Sequence, residues 1–182
     1  MSPRRITIAF PDHMQEVVWA HLRSNDVDEE AAFLFAEPEF TAKGITLHVR
    51  GSYLVPSQDF EVRGMDGIVL NDECRAALLK RAHDAGHALI ECHAHPGWRP
   101  AVFSIYDFEG FSEFVPHVRW RLQDRPYAAI VVAGTTFDAL AWIEPGNPTP
   151  VAVDAVTSAS EILYPTRQSL VRWQEVTRGR TV

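Results

Sequence analysis

The chain has 182 residues, is 46% hydrophobic and carries a formal net charge of −7. That is enough apolar material for one domain with a sizeable core, and 23% charged residues is an ordinary share that speaks against wholesale disorder. The negative balance argues against nucleic acid as a main partner, since binding phosphates needs a basic face, and no apolar run approaches the roughly 20 residues that span a bilayer.

Met1 to Ile6 is basic but leads into Pro11-Asp12 rather than a long apolar stretch, so it does not read as a signal peptide. Ile6 to Phe10 alternates and is rich in β-formers, which predicts a first strand. Pro11-Asp12 opens a helix through about Arg23, with Met14, Val17, Val18 and Leu22 on its inner face. Asn25 to Asp28 is a turn, and Ala31 to Phe35 a buried strand. Ile45 to Val49 and Tyr53 to Val55 continue the sheet as antiparallel neighbours, with Gly51-Ser52 as a break or bulge. His48 alternates with apolar residues there, as a solvent-facing strand position would.

Residues 56–70 are the least legible: Gly64, Asp66 and Gly67 imply turns, and Gln58 to Val62 a short strand. Asn71 caps a helix that runs to about Ala85, with Ala76, Leu78, Leu79 and Ala82 packing inward, and Gly86 ends it. His83 and His87 have the spacing of a helical metal pair, but Gly86 lies between them and Asp84 stands where a His-Glu-x-x-His protease has its Glu, so they read as structural. A helix from Ser104 to Leu122 carries a kink or interruption at Pro116. Tyr127 to Ala133 reads as a strand buried on both faces, turned by Gly134-Thr135-Thr136 into a hairpin partner over Phe137 to Ile143. Pro145 to Pro150 is a rigid connector, Val151 to Val156 an edge strand, and the end a short helix with a basic tail (Arg172, Arg178, Arg180). Cys74 and Cys92 suggest no disulfide framework, and reduced cytoplasm is the simplest compartment.

The chemistry concentrates in residues 91–107. Ala88-Leu89-Ile90 leads into Glu91-Cys92-His93-Ala94-His95-Pro96, so both His fall at the end of a strand and on one face, because side chains alternate. Pro96 has no N–H and stops the ladder. Asp107 follows in the tetrad Ser104-Ile105-Tyr106-Asp107, twelve residues after His95. Two His and one carboxylate form a three-ligand set that suits zinc and leaves a fourth position for water. Each half also has a plain reading: His-x-His is often a hydrogen-bonded surface pair, and Ser-x-x-Asp is often a helix capping box. The capping reading and the metal reading are compatible, since a cap at Ser104 turns Asp107 back towards the strand end.

His93-x-His95-Pro96 followed by Ser104-x-x-Asp107 resembles the signature of the JAMM (JAB/MPN) metalloprotease family, including its bacterial members. The resemblance implies zinc held by His93, His95 and Asp107, with Ser104 helping to stabilise the oxyanion. The spacing departs from the family by one residue, eight between His95 and Ser104 where seven are usual. The family's general base is a Glu upstream, in a pattern like Glu-x-x-Gly-x-x-x-Gly. Aligning Ala32 and Ala36 with the small residues selects Glu29, with Glu30 as the one-residue slip and solvated surface charge as the plain alternative for both. Glu91 is a candidate partner for a metal-bound imidazole or a rim residue. Trp98 and Arg99 either line a substrate groove or, for Trp98, plug the core.

The implied fold is α/β (α+β): a mixed, mostly antiparallel curved sheet flanked by helices, forming one JAMM/MPN-like domain over residues 1–145 with a C-terminal extension, 146–182, packed on it or trailing from it. The implied reaction is zinc-dependent hydrolysis of a peptide or isopeptide bond after the C-terminal tail of a ubiquitin-like protein. Activating and conjugating enzymes of a bacterial conjugation system, some linked to phage defence, or a sulfur-carrier pathway would be its context. A small-molecule amidase of the same fold, a non-catalytic scaffold of it, and a metal-free α/β binding module remain as alternatives.

Overall fold

A computed structural model describes residues 5–65 and 67–179. Strand β1 is Arg5–Ala9, helix α1 Met14–Leu22, β2 Ala31–Phe40 and β3 Gly44–Leu54. A single 3-10 turn (Ser57–Asp59) leads to β4 (Phe60–Gly64) and β5 (Gly67–Leu70), followed by α2 (Asp72–Ala85) and β6 (Ala88–Ala94). Then come α3 (Ile105–Arg121), β7 (Tyr127–Ala133), β8 (Thr136–Trp142), β9 (Val151–Ala152), β10 (Ala155–Thr157), β11 (Ile162–Leu163) and α4 (Gln168–Gly179).

Nine of these strands form one sheet, ordered β11-β10-β1-β3-β2-β6-β7-β8-β9, and β4 pairs with β5 as a separate hairpin. The sheet is mixed but mostly antiparallel; β1 runs parallel to both β3 and β10, and β6 parallel to β7. It is also strongly curled. Only Val153 and Asp154 separate β9 from β10, three peptide steps that reach about 11 Å at most, yet β9 pairs with β8 and β10 with β1. Val153 N–H bonds to the Ala139 carbonyl (3.2 Å) and Asp154 N–H to that of Ile6 (2.8 Å), so this short run joins the two ends of the sheet.

Alternation along the strands divides the core in two. Even-numbered residues of β2, β6 and β7, such as Leu34, Ile90 and Ile130, pack with Val18, Trp19 and Leu22 of α1. Odd-numbered ones, such as Phe35, Leu89 and Val131, face α2, α3 and α4. Every residue of β7 is buried, as its unbroken apolar run predicts.

Several boundaries and faces differ from the sequence reading. Helix α1 starts at Met14 rather than at Pro11, and its inner face is Gln15, Val18, Trp19 and Leu22, with Val17 52% exposed. In α2 it is Cys74, Leu78 and Ala82 that are buried, while Ala76 points out. Both cases are a rotation of the apolar stripe by about one residue, which short helices with few large side chains leave weakly specified. The two strands expected over 45–55 are one, β3, and the register shift against Phe35 and Ala36 passes over Arg50. Helix α3 continues through Pro116 without interruption. The 146–182 segment supplies β9 to β11 and α4, and Trp173 of α4 is buried against Phe108 and Trp142. Asp66 and Arg180, named in the turn and tail expectations, lie outside the described residues. Among the described residues no helix is long and apolar enough to cross a membrane.

Candidate metal centre

β6 lies between antiparallel β2 and parallel β7, so its apolar run is covered on both sides. Leu89, Glu91 and His93 share the face turned to α3, and His95 follows just past the strand end, anchored by its N–H to the Val132 carbonyl at 2.9 Å. His93 is buried and His95 half-buried. Their Nε2 atoms converge to 3.2 Å.

Register decides which upstream glutamate joins them. Ala31 pairs with His93 across β2 and β6, and Ala94 N–H donates to the Glu30 carbonyl at 2.9 Å. One further step sets residue 29 opposite residue 95, and residues opposite one another in a sheet present their side chains on the same face. Glu29 therefore meets the histidines, its Oε1 3.7 Å from His95 Nε2. Glu30 points the other way, where Arg63 of the β4–β5 hairpin donates to its carboxylate and His21 Nε2 stands 4.0 Å from it. The hairpin also holds the Glu29 backbone from both sides: Glu29 N–H donates to the Gly64 carbonyl (3.0 Å), and Arg63 Nε to the Glu29 carbonyl (3.1 Å).

Asp107 arrives from the first turn of α3. Ser104 caps that helix, its Oγ accepting from Asp107 N–H at 3.1 Å while Asp107 Oδ2 accepts from Ser104 N–H at 2.6 Å, a reciprocal capping box. The same carboxylate reaches the histidines: Oδ1 is 3.4 Å from His93 Nε2 and Oδ2 3.2 Å from His95 Nε2. So the cap and the cluster are one arrangement.

The loop between Pro96 and Phe103 is held in place by later segments. Ala101 N–H donates to Thr136 Oγ1 (2.8 Å), Thr166 Oγ1 donates to the Ala101 carbonyl (2.7 Å), and Phe103 N–H donates to Ser169 Oγ (3.0 Å). Phe103, fully buried, packs against the His93 ring with centroids 5.6 Å apart and planes tilted by 56°. Trp98 is 87% exposed and so is not a core plug. Beside the cluster opens a cleft of about 580 Å³. Phe33 and Glu91 lie on its sheet side, Ile68 and Leu70 of β5 on another, and Tyr106 and Phe114 of α3 on a third.

The charges are tightly coupled. Burial pulls the His93 imidazolium down, but the Asp107 charge and hydrogen bond, then Glu29 and Glu91, outweigh it and place its pKa at about 9. Burial acts against the Asp107 carboxylate too, and His93 and His95 nonetheless hold it far below the usual carboxylate range. Glu91 is raised by burial, against the pull of His93 and of the Tyr127 hydroxyl that donates to it.

Glu29, His93 and His95 offer ligand atoms that all lie within 4.8 Å of one another, a cluster that can hold a metal ion. The donors suit the size of such an ion. A tetrahedral site with metal–nitrogen bonds of about 2.0–2.1 Å has ligand–ligand edges of about 3.3–3.4 Å; the two histidine nitrogens are 3.2 Å apart, and the Asp107 carboxylate lies across both, Oδ1 at 3.4 Å from His93 and Oδ2 at 3.2 Å from His95. No protein-family model matches this chain, and no curated protein matches it.

Sequence reasoning missed Arg63, Tyr127, Thr166 and Ser169. Arg63 falls in the segment without periodicity, and the other three read as ordinary strand, loop and helix residues; only their distant partners give them meaning.

Proposed function

We propose that this chain is a zinc-dependent hydrolase of the JAMM (JAB/MPN) type, cleaving peptide or isopeptide bonds after the C-terminal tail of a ubiquitin-like protein in the cytoplasm. The observation that carries this reading is the convergence of the His93 and His95 Nε2 atoms to 3.2 Å, with the Asp107 carboxylate lying across both and the buried Glu29 carboxylate beside them. The donor set of two imidazoles and one carboxylate is that of a zinc site with one position left open.

In this reading His93, His95 and Asp107 hold the ion and Glu29 is the base. Zinc held there would supply Lewis acidity for activating water and a scissile carbonyl. Glu29, only 4% exposed and fixed at its backbone by the hairpin, takes the proton of the attacking water and returns it to the leaving amine. The Ser104 hydroxyl accepts from Asp107 N–H, which leaves its own proton to donate. Given to the developing oxyanion, that hydrogen bond is worth about 3 kcal/mol. The cleft between β5 and α3 lies beside the metal ligands, and in this reading it receives the extended chain end, with β5 offering a strand edge.

Zinc content and cleavage test the reading together. Purified protein should hold about one zinc per chain, and Asp107→Ala should lose it. The zinc-loaded protein should release a reporter fused behind the tail of a ubiquitin-like protein. Wild-type protein that takes up no zinc would end the hydrolase reading. Zinc uptake with hydrolysis of small amides only would replace the substrate class with that of an amidase.

A further inference from the structure

We propose that Glu91, anchored by Tyr127, is the positioning carboxylate of His93: it takes the second ring nitrogen and fixes the tautomer that presents Nε2 to the metal. The inference rests on the metal-site reading above and adds residues to it.

The two nitrogens of His93 face opposite environments. Nε2 is the atom at 3.2 Å from His95 and 3.4 Å from Asp107, so Nδ1 is the atom turned away from the cluster. The carboxylate on that side is Glu91, with Oε1 4.0 Å from Nδ1. Their spacing of two residues on β6 puts both on one face of the sheet. That separation is beyond hydrogen-bond length, and a shift of the His93 ring on taking the metal is the movement the proposal requires to close it. Glu91 is itself fixed, because its other oxygen accepts from the Tyr127 hydroxyl. Tyr127 is fully buried on β7, with its ring 5.8 Å from Trp142 and 6.4 Å from Phe114, so the hydroxyl has little room to move.

A purely structural role would not call for these residue types. The neighbouring inward positions on β6 and β7, Leu89, Ala129 and Val131, are apolar. A carboxylate set among them at the edge of the cleft, its side chain only 18% exposed, is unfavourable unless its oxygens are matched by donors. Tyr127 supplies one donor, and a protonated Nδ1 of His93 would supply the other. A histidine that ligates a metal through one nitrogen commonly donates from the other to a carboxylate, which sets its orientation and strengthens it as a ligand.

Glu91 also lines the cleft, so a contact with substrate is the competing role. Three measurements separate the two: zinc affinity by competition with a chromophoric chelator, the Nδ1–H resonance of His93 in zinc-loaded protein carrying ¹⁵N-histidine, and kcat against KM. Glu91→Ala should weaken zinc binding by about 10- to 100-fold and shift or abolish the Nδ1–H signal. Glu91→Gln keeps an oxygen that can accept from Nδ1 and should recover most of the affinity. Tyr127→Phe, which retains the ring, should weaken zinc binding by a smaller factor in the same direction, and it carries the test alone if Glu91→Ala does not fold.

Wild-type zinc affinity with an unmoved Nδ1–H signal in Glu91→Ala, or in Tyr127→Phe where that stands alone, would overturn the proposal. So would a change confined to KM, which would make Glu91 a substrate contact. Zinc binding without hydrolysis in the wild type would remove the hydrolase reading yet leave this inference standing on its affinity and resonance measurements; a wild type that binds no zinc would remove both.

Discussion

The N–H of Phe103 donates to the hydroxyl of Ser169 at 3.0 Å, across 66 positions of sequence and in a fully buried setting. Phe103 closes the loop that follows His95, and its ring packs on that of His93. Ser169 opens α4, where its own N–H and that of Arg167 donate to the buried carboxylate of Asp138 on β8. The C-terminal helix is thereby built into the support of the candidate metal centre.

Ser169→Ala would leave the Phe103 N–H without its acceptor in a place water does not reach. The expected loss is about 1–3 kcal/mol, read as a lower midpoint in denaturant unfolding. A variant within about 0.5 kcal/mol of wild type, the range of an ordinary surface substitution, would show that the loop does not depend on this bond.

Arg63 has a comparable place on the other side of the site. It binds the Glu30 carboxylate and the Glu29 carbonyl at once, and both glutamates are buried. Arg63→Ala leaves Glu30 facing the His21 ring at 4.0 Å and removes one of the two bonds that tie the hairpin to the Glu29 backbone. Removing one partner of a buried ion pair costs about 3 kcal/mol or more. Hydrogen exchange should show β4 and β5 opening first, and unchanged protection there would refute the coupling.

How much of this was legible in the chain follows the range of the interactions. Asn71 as a cap, the buried run of β7 and the Ser104–Asp107 box are local, so residue type and spacing within a few positions suffice to read them. The His93–His95 pair is legible because strand alternation is local too. The choice of Glu29 over Glu30 is not local: it depends on which residue of β2 lies opposite His93, a register that a sequence read alone leaves one step uncertain. The segment 56–70 was opaque for a similar reason. Its hairpin is short and half-exposed, and is secured through Arg63 and Gly64 to the residues before β2 rather than by an apolar pattern of its own. The closure of the sheet through Val153 and Asp154 left no signal beyond a short apolar stretch.

The pKa of His93 predicts how metal binding depends on pH. At about 9, the ring of chelator-stripped protein is protonated at pH 7, while a metal ligand must be neutral. Zinc uptake at pH 7 should therefore release close to one proton from this residue, and affinity should rise about tenfold per pH unit until it levels near pH 9. Calorimetry of zinc binding in two buffers of different ionisation enthalpy measures the proton count, and a value near zero would contradict the assignment. The same shift affects stability. Because the folded value lies above the ordinary 6.5, His93 stabilises stripped protein fully below that pH, and the contribution is lost as pH rises through about 9. The depressed Asp107 carboxylate works in the opposite sense, stabilising above the ordinary carboxylate range and losing that contribution under strong acid.

Glu29 and Glu30 differ by one position, yet their substitutions should have unlike consequences. Glu29→Gln removes the proposed base and leaves His93, His95 and Asp107 to hold the ion, so zinc content should persist while kcat falls by about 10²–10⁴. Glu30→Gln leaves that face untouched and should keep both zinc and turnover. Its effect falls on the bond to Arg63, where exchanging a charged acceptor for a neutral one costs about 1–3 kcal/mol of stability. Loss of zinc in Glu29→Gln would make Glu29 a ligand instead of the base, which its inclusion in the cluster with the two histidines also permits. An inactive but stable, zinc-loaded Glu30→Gln would reverse the assignment altogether. The two variants thus read the strand register directly in zinc content and rate.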